Sequence, residues 1–467
     1  MTPGSGADGP LWAGRFATGP APEAHALGRS LAFDVRLAEA DVRASVAHVY
    51  GLLDAGLLTQ EEAAALEDTL VAVGREVVEG DLTFDPADED IHSVIERTVT
   101  ERLGDAGARL HAGRSRNDLV VTDLRLWLMQ AAQRIDGLAT LLARTLVARA
   151  REHVTTVMPG STHQRPAQVV TLGHHLLAHA WALLRDLERF DGWAIRTSTC
   201  SLGAGAIATS TLPLDPSVTA ERLGFLRPFQ NSIDAVSDRD FVQEFLADAA
   251  ICATHLSRLS ADLARWTDPS LGWAELDDAY ATGSSMMPQK RNPDTAELAR
   301  AKAARIAAGF VGLTSVLQGL PLGYHRDLQE DKEPAFDAAD TLELVLAALV
   351  GAIETLRLAP DAMREAASDE ALFATDLAEA LVRKGVPFRD AHHRTGELLR
   401  SLNADQRSLH GLSDSEWEAF GIPGGVALLD PDASVRARSG SGGPAPLRVS
   451  VQMDAIEAAL VTRRISR

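Results

Sequence analysis

The chain has 467 residues, enough for a sizeable core and two or three structural regions. Its formal net charge of −20 argues against a general binder of nucleic acid or of anionic membranes, while leaving room for a small anionic substrate in a local cationic pocket. Cys200 and Cys252 give neither a disulfide framework nor a zinc spacing, no basic-then-apolar leader pattern is present, and the longest apolar run, around Leu344 to Ile353, is far short of the ~20 residues of a membrane span, so a cytoplasmic protein is expected.

Residues 1 to about 10 are rich in Gly, Pro and Ser and read as disordered. Thr59 with Glu62 makes a capping box, after which Leu66, Leu70, Val73 and Val77 keep helical spacing. Asp88-Glu89-Asp90-Ile91-His92-Ser93 is an acidic cluster with one histidine. It reads equally as a solvated helix start, where acids favour the positive end of the dipole, and as part of a site. The run from His111 to Asp118 holds Arg114, Ser115, Arg116 and Asn117. Guanidinium groups match a carboxylate bidentately, yet on this run alone a polar loop capping the next helix is the better reading. Ile135, Leu138, Leu142 and Leu146 then step by three and four, the mark of a long helix.

Met158-Pro159-Gly160-Ser161-Thr162-His163 interrupts that pattern, and a second long helix is expected from about Ala167 to Phe190. His175 and His179 lie four apart in it, beside His174. A metal reading is set aside there, because no acid sits in an HExxH arrangement and no third ligand is evident. Leu202-Gly203-Ala204-Gly205-Ala206 lacks the Lys-Ser/Thr ending of a phosphate loop, so a tight turn allowing close backbone approach is expected. Further helical patterns run from Asp238 to about Asp268 and from Thr295 to about Leu317, and Leu342, Val345, Leu349, Ile353 and Leu356 make the last long stripe. Between the last two, the charged run from Tyr324 to Glu333 reads as a solvated face. From Pro360 the patterns shorten, and Ser439 to Pro444 is a flexible loop. The whole is an all-α (mainly α) protein whose central set of about five long helices suggests a bundle buried against other subunits. The expected division is 1–111, an N-terminal helical domain; 112–359, the long-helix bundle; and 360–467, a small C-terminal helical domain.

One stretch organises the rest: Gly283-Ser284-Ser285-Met286-Met287-Pro288-Gln289-Lys290-Arg291-Asn292-Pro293-Asp294. Its composition is that of a surface turn before a helix. Two features go further. Met286 and Met287 are large apolar groups in a loop and need cover at least part of the time. Lys290 and Asn292 alternate with Ser285 in a way that suits one small anion. This stretch, 281–294 as a loop, resembles the signature loop of the fumarase/aspartase superfamily, and with Glu297 it is most similar to the argininosuccinate lyase branch. Trp12, Arg15-Phe16, Asp88 to His92, Gly113 to Asp118, Leu202 to Ala206, Asp238 to Phe241, Leu328 to Glu333 and Val382 to Gly385 follow the same family's order, so the resemblance runs from Leu11 to nearly the end.

The resemblance implies a homotetramer with a twenty-helix core, five helices from each chain, and active sites shared by three chains. It implies β-elimination of N-(L-arginino)succinate to fumarate and L-arginine through a carbanion that delocalises into the adjacent carboxylate. Ser285 is then the base, its pKa depressed by nearby positive charge. Lys290 and Asn292 stabilise the dianion, and the loop closes over the substrate. His163, paired with Glu297, assists proton delivery to the leaving nitrogen. Ser115, Asn117 and Thr162 bind the succinyl carboxylates, with Arg116 among the substrate-binding residues. Ser30, Tyr324, Gln329 and Lys332 grip the amino-acid end of the leaving group. Because protein groups supply the charge stabilisation, the resemblance implies no metal and no organic cofactor, and it implies no nucleic-acid or membrane partner.

The chain departs from the family pattern at a few places. Leu119 stands where the family has Gln. Ser161 replaces Tyr, Gln164-Arg165 replaces Leu-Gln, and Pro166 replaces Arg. Gly28, followed by Arg29, replaces Asn two residues before Ser30. Arg165 beside the pocket favours a different, more anionic leaving group. A second reading is therefore a paralogous C–N lyase releasing fumarate from another N-substituted aspartate. A third, a non-catalytic structural tetramer, is opposed by the presence of Ser285, His163, Lys290, Asn292 and Glu297 together.

Overall fold

Helices make up nearly all the secondary structure of the computed structural model, which describes residues 21–463. The expectation of disorder for residues 1 to about 10, and the matches at Leu11, Trp12 and Arg15-Phe16, lie outside the described residues. The N-terminal part holds α1 (Pro22–Gly28), α2 (Ala38–Asp54), α3 (Gln60–Glu79) and α4 (Ile91–Leu103). The expected capping box opens α3: Thr59 Oγ1 accepts from the Glu62 N–H at 3.2 Å, and Glu62 accepts from the Thr59 N–H at 2.9 Å. Leu66, Leu70, Val73 and Val77 are the buried face of that helix. Asp90 caps α4 by accepting from the Ser93 N–H at 2.7 Å, so the acidic cluster is a helix start.

Five long helices follow: α5 (Arg116–Glu152), α6 (Leu172–Thr197), α7 (Asp240–Trp266), α8 (Asp294–Leu317) and α9 (Lys332–Glu354). α5 lies along α6, α7 along α8, and α9 closes the set against α5, α7 and α8. The apolar stripes explain the arrangement. Ile135, Leu142 and Leu146 of α5 and Leu342, Val345, Leu349 and Ile353 of α9 are buried in one continuous core, each such side chain contributing ~1.5–3 kcal/mol. Trp193 of α6 is fully buried, and its indole N–H donates to the Phe241 carbonyl at 2.7 Å, tying α6 to the start of α7. α8 differs from its neighbours. It buries only Ala296, Ala299, Ile306 and Leu313, leaving Leu298 and Val311 about 60% exposed.

The expected helix start at Ala167 is corrected. Residues 157–171 form an antiparallel hairpin of β1 (Val157–Thr162) and β2 (Arg165–Thr171), and α6 begins only at Leu172. The reasons are local. Pro159 and Pro166 lack the N–H a helix needs, Val169-Val170-Thr171 is a β-branched run, and Thr171 caps α6 by accepting from the His174 N–H at 3.1 Å. In the C-terminal part, α10 (Ala374–Arg383) and α11 (Phe388–Ala404) pack with Phe373 and Trp417 in a separate apolar cluster that includes Val157 and Val169 of the hairpin. The last helix, α12 (Pro446–Thr462), returns to lie on α5 and α6. Among the described residues no helix is long and apolar enough to cross a membrane.

Candidate active site

A cavity of about 1030 Å³ opens where four stretches of chain meet: α1 with Ser30 and Asp34, residues 86–92, the start of α5, and Tyr324 to Lys332. It brings together Ser30, Arg116, Asn117, Tyr324, Gln329 and Lys332 of the predicted set. Backbone groups hold two of them, Ser30 and Asn117. The Ser30 N–H donates to the Glu89 carbonyl at 2.9 Å, and its hydroxyl donates to Asp34 at 2.5 Å. Ser115 does not line the cavity; it caps α5, accepting from the Asn117 N–H at 3.3 Å, and so aims the first turn that carries Arg116 and Asn117. Asn117 donates to the Ala206 carbonyl at 3.0 Å. The small-residue loop is the expected tight turn. Gly203 and Gly205, at φ +105° and +62°, send their N–H groups to one oxygen of Asp118 at 2.9 and 2.8 Å. Burial pushes the Asp118 carboxyl up to about 6 against these donors.

The reading of Tyr324 to Glu333 as a solvated face is corrected by Leu328, Asp331 and Lys332, which are buried. Residues Arg326–Asp331 wind into a tight 3₁₀ turn that folds the acid inward, where two cations wait for it. Asp331 accepts from Arg239 through one oxygen and from Lys332 at 2.9 Å through the other. Charge on the wall is mixed. Arg116 pairs with Asp90 at 3.2 Å, and Arg326 donates to Glu89 and to the Gly28 carbonyl. At the departure Gly28 a Cβ would stand 3.1 Å from an Arg326 nitrogen, the movable end of a half-exposed side chain, so packing does not explain the glycine.

His92, Asp34 and Arg326 also line the cavity and were missed as site residues. His92 is enclosed by acids, with Nδ1 2.5 Å from Asp41 and 3.4 Å from Asp123. Burial alone would lower its pKa, but the hydrogen bond and charge of Asp41, joined by Asp90 and Asp123, raise it to about 9. Its Nε2 is buried with no partner. The sequence signal was the lone imidazole in an acidic cluster; nothing in it places Asp41 and Asp123 opposite. Asp34 is pushed up by burial, partly countered by His92 and the Ser30 hydroxyl.

The remaining predicted residues stand apart from this cavity. Thr162 and His163 are exposed at the tip of the β1–β2 hairpin, where His163 and Gln164 take φ +52° and +63°, both in the left-handed region. Ser161, Arg165 and Pro166 are exposed beside them. Ser285 and Lys290 are exposed on the signature loop, whose base is cinched by reciprocal backbone bonds between Thr282 and Asn292 of 3.1 and 2.8 Å. Met286 is 86% exposed. Glu297 sits on the first turn of α8, 4.0 Å from Arg300, and among the described residues it makes no pair with His163. Leu119 faces away from the cavity into a cluster with Ala40, Ala44 and Leu202, so that departure belongs to packing.

A family model described as Lyase matches residues 14–308, and one described as Argininosuccinate lyase C-terminal matches residues 371–436. The chain is 48% identical over 453 residues to the argininosuccinate lyase of Frankia casuarinae, covering 96% of this chain and 98% of that protein. It is 49% identical over 459 residues to the argininosuccinate lyase of Acidothermus cellulolyticus, covering 96% and 94%. Among solved structures it is similar to EDDS lyase in complex with formate, at 29% identity and a TM-score of 0.83, covering 95% of this chain and 91% of that one.

Proposed function

The chain belongs to the argininosuccinate lyase family of the fumarase/aspartase superfamily, and from that premise we propose how its residues carry out the elimination. The enzyme is a carbon–nitrogen lyase that converts N-(L-arginino)succinate to fumarate and L-arginine, a step of arginine biosynthesis. The observation that carries this reading is the cavity itself, where Ser30, Arg116, Asn117, Tyr324, Gln329 and Lys332 converge on one small-molecule volume.

Ser285 takes the proton from the carbon next to one succinyl carboxylate. The electron pair moves into that carboxylate, where Lys290 and Asn292 hold the resulting dianion. The C–N bond on the neighbouring carbon then breaks, its electrons leave with nitrogen, and His163, supported by Glu297, delivers the balancing proton. Ser115, Arg116, Asn117 and Thr162 hold the succinyl carboxylates. Ser30, Tyr324, Gln329 and Lys332 hold the amino-acid end of the leaving arginine.

His163 and Ser285 ride on exposed tips away from the cavity of their own chain, and α8 carries exposed Leu298 and Val311. These features support a homotetramer in which the hairpin of one chain and the signature loop of another complete the cavity of a third. Residues 112–359 are the oligomerising domain, flanked by helical domains 1–111 and 360–467. Two free, buried cysteines suit a cytoplasmic setting.

The test is an ultraviolet assay for fumarate with purified protein and argininosuccinate. Fumarate and arginine in equal amounts are expected. A folded protein that is silent with argininosuccinate yet releases fumarate from another N-substituted aspartate would replace this substrate with the paralogue's. Sharing between chains is tested by mixing inactive Ser285→Ala and His163→Gln proteins after dissociation. Activity returning to roughly a quarter of the parental value is expected for randomly mixed tetramers. No return would place both residues on one chain's site.

A further inference from the structure

Outside this site, α6 and α7 face each other across a cluster of three potential ligands. His175 and His179, one turn apart on α6, both direct Nε2 at the same oxygen of Asp262 on α7, at 2.7 and 2.9 Å. The third ligand that the sequence did not reveal is therefore supplied from 87 and 83 residues downstream. All three donor atoms lie within 4.8 Å of one another. The side chains are 29%, 14% and 30% exposed, so the cluster is sheltered but reachable. None of the three lines the cavity described above.

We propose that His175, His179 and Asp262 form a binding site for a divalent transition ion of the Zn²⁺ class, clamping α6 to α7. Tetrahedral coordination with bonds near 2.1 Å separates neighbouring donor atoms by about 3.4 Å. The Asp262 oxygen therefore needs to withdraw by only about half an ångström, within reach of a small side-chain rotation. Two imidazoles and one carboxylate leave the fourth position to water. That donor set favours Zn²⁺, Co²⁺ or Ni²⁺ over Mg²⁺ and Ca²⁺, which take oxygen shells.

The surroundings favour ligation. The His175 ring is held edge-on against Trp266, with ring centres 5.1 Å apart, so its Nε2 is aimed before an ion arrives. His179 reaches the same Asp262 oxygen from one turn further along α6, so both imidazoles already converge on one point. On binding, each ring carries its proton on Nδ1 and turns the Nε2 lone pair to the ion.

The experiment uses untagged, chelator-treated full-length protein titrated with Co²⁺ and followed by visible absorption, with Zn²⁺ as competitor. One ion per chain is expected, displaced by Zn²⁺ and not by Mg²⁺, with a rise in melting temperature on loading. His179→Gln and Asp262→Asn should each weaken binding by about 10–100-fold while fumarate formation stays at the parental rate. Asp262→Asn preserves shape and carries the test if the histidine variant does not fold. Parental protein that binds no Co²⁺ beyond the level of non-specific surface histidines overturns the proposal, as does Asp262→Asn binding with parental affinity.

Discussion

Arg239 and Asp331 form an ion pair with no solvent exposure at either side chain. The second oxygen of Asp331 holds the Lys332 ammonium at 2.9 Å, so a single carboxylate pairs with two buried cations at the edge of the cavity, and the trio keeps one net positive charge. Burial by itself raises the Asp331 pKa, but Lys332 and Arg239 bring it below the ordinary value. Such a pair adds little net stability over an apolar replacement of both partners, but removal of one strands the other. Arg239→Met removes the donor of one Asp331 oxygen while Lys332 keeps the other, and is expected to lower unfolding free energy by about 1–3 kcal/mol in urea titrations. Asp331→Asn is expected to be destabilising too and, by freeing Lys332, to raise KM more than it lowers kcat. A melting curve superimposable on the parent would show that the pair is dispensable.

Ser285 tests the opposite situation, chemistry without structural load. It is exposed on a loop whose closure rests on Thr282 and Asn292, not on the serine. Ser285→Ala should therefore leave the melting temperature and the gel-filtration volume unchanged. Fumarate formation should fall by at least the ~10²–10⁴-fold associated with a general base. Near-parental turnover in the folded variant would remove Ser285 from the role of base.

How much was legible in the sequence follows from where the information lies. The five long helices are visible because their apolar positions recur at helical spacing within one segment, as with Ile135, Leu142 and Leu146, all buried. The caps at Thr59 and Ser115 are equally local. The hairpin at 157–171 was masked because its strand-like residues are few and adjoin a strong helical stripe. The meeting of Asp262 with His175 and His179, and of Asp41 and Asp123 with His92, depends on the packing of separate helices. No periodicity within one segment encodes such a meeting. The charged run at Tyr324 to Glu333 misled for a related reason: composition says that charges prefer water, and only the fold reveals Arg239 waiting for Asp331.

The hairpin tip offers a separation of geometry from chemistry. His163 and Gln164 both occupy the left-handed region, the backbone of a two-residue turn that Gly adopts without strain. Gln164→Gly should stabilise the protein by about 0.5–1 kcal/mol, the relief of strain exceeding the added freedom of the unfolded chain. It should keep fumarate formation within a few-fold of the parent, on the order of a surface change. His163→Gly relieves the same backbone strain but removes the imidazole, and its activity should collapse. Equal activity losses in the two variants would mean that only the turn conformation matters.

His92 sets a pH dependence whose sign follows from its surroundings. Its folded pKa is about 9, above the ordinary 6.5, because Asp41, Asp90 and Asp123 outweigh burial. A raised pKa contributes stability that is fully present below pH 6.5 and is lost as pH rises through 9. Burial and the Asp41 charge raise the Asp123 carboxyl well above its ordinary value, which adds a change of the same sign. The His92 contribution is on the order of 3 kcal/mol, taking ~1.4 kcal/mol per pKa unit. Urea midpoints measured at pH 6.5 and pH 9.5 should fall between the two for the parent. In His92→Gln the drop should shrink, since the glutamine carries no proton to lose, and the share of Asp123 remains. The same drop in parent and variant would assign the alkaline instability to other groups and leave His92 neutral in its pocket of acids.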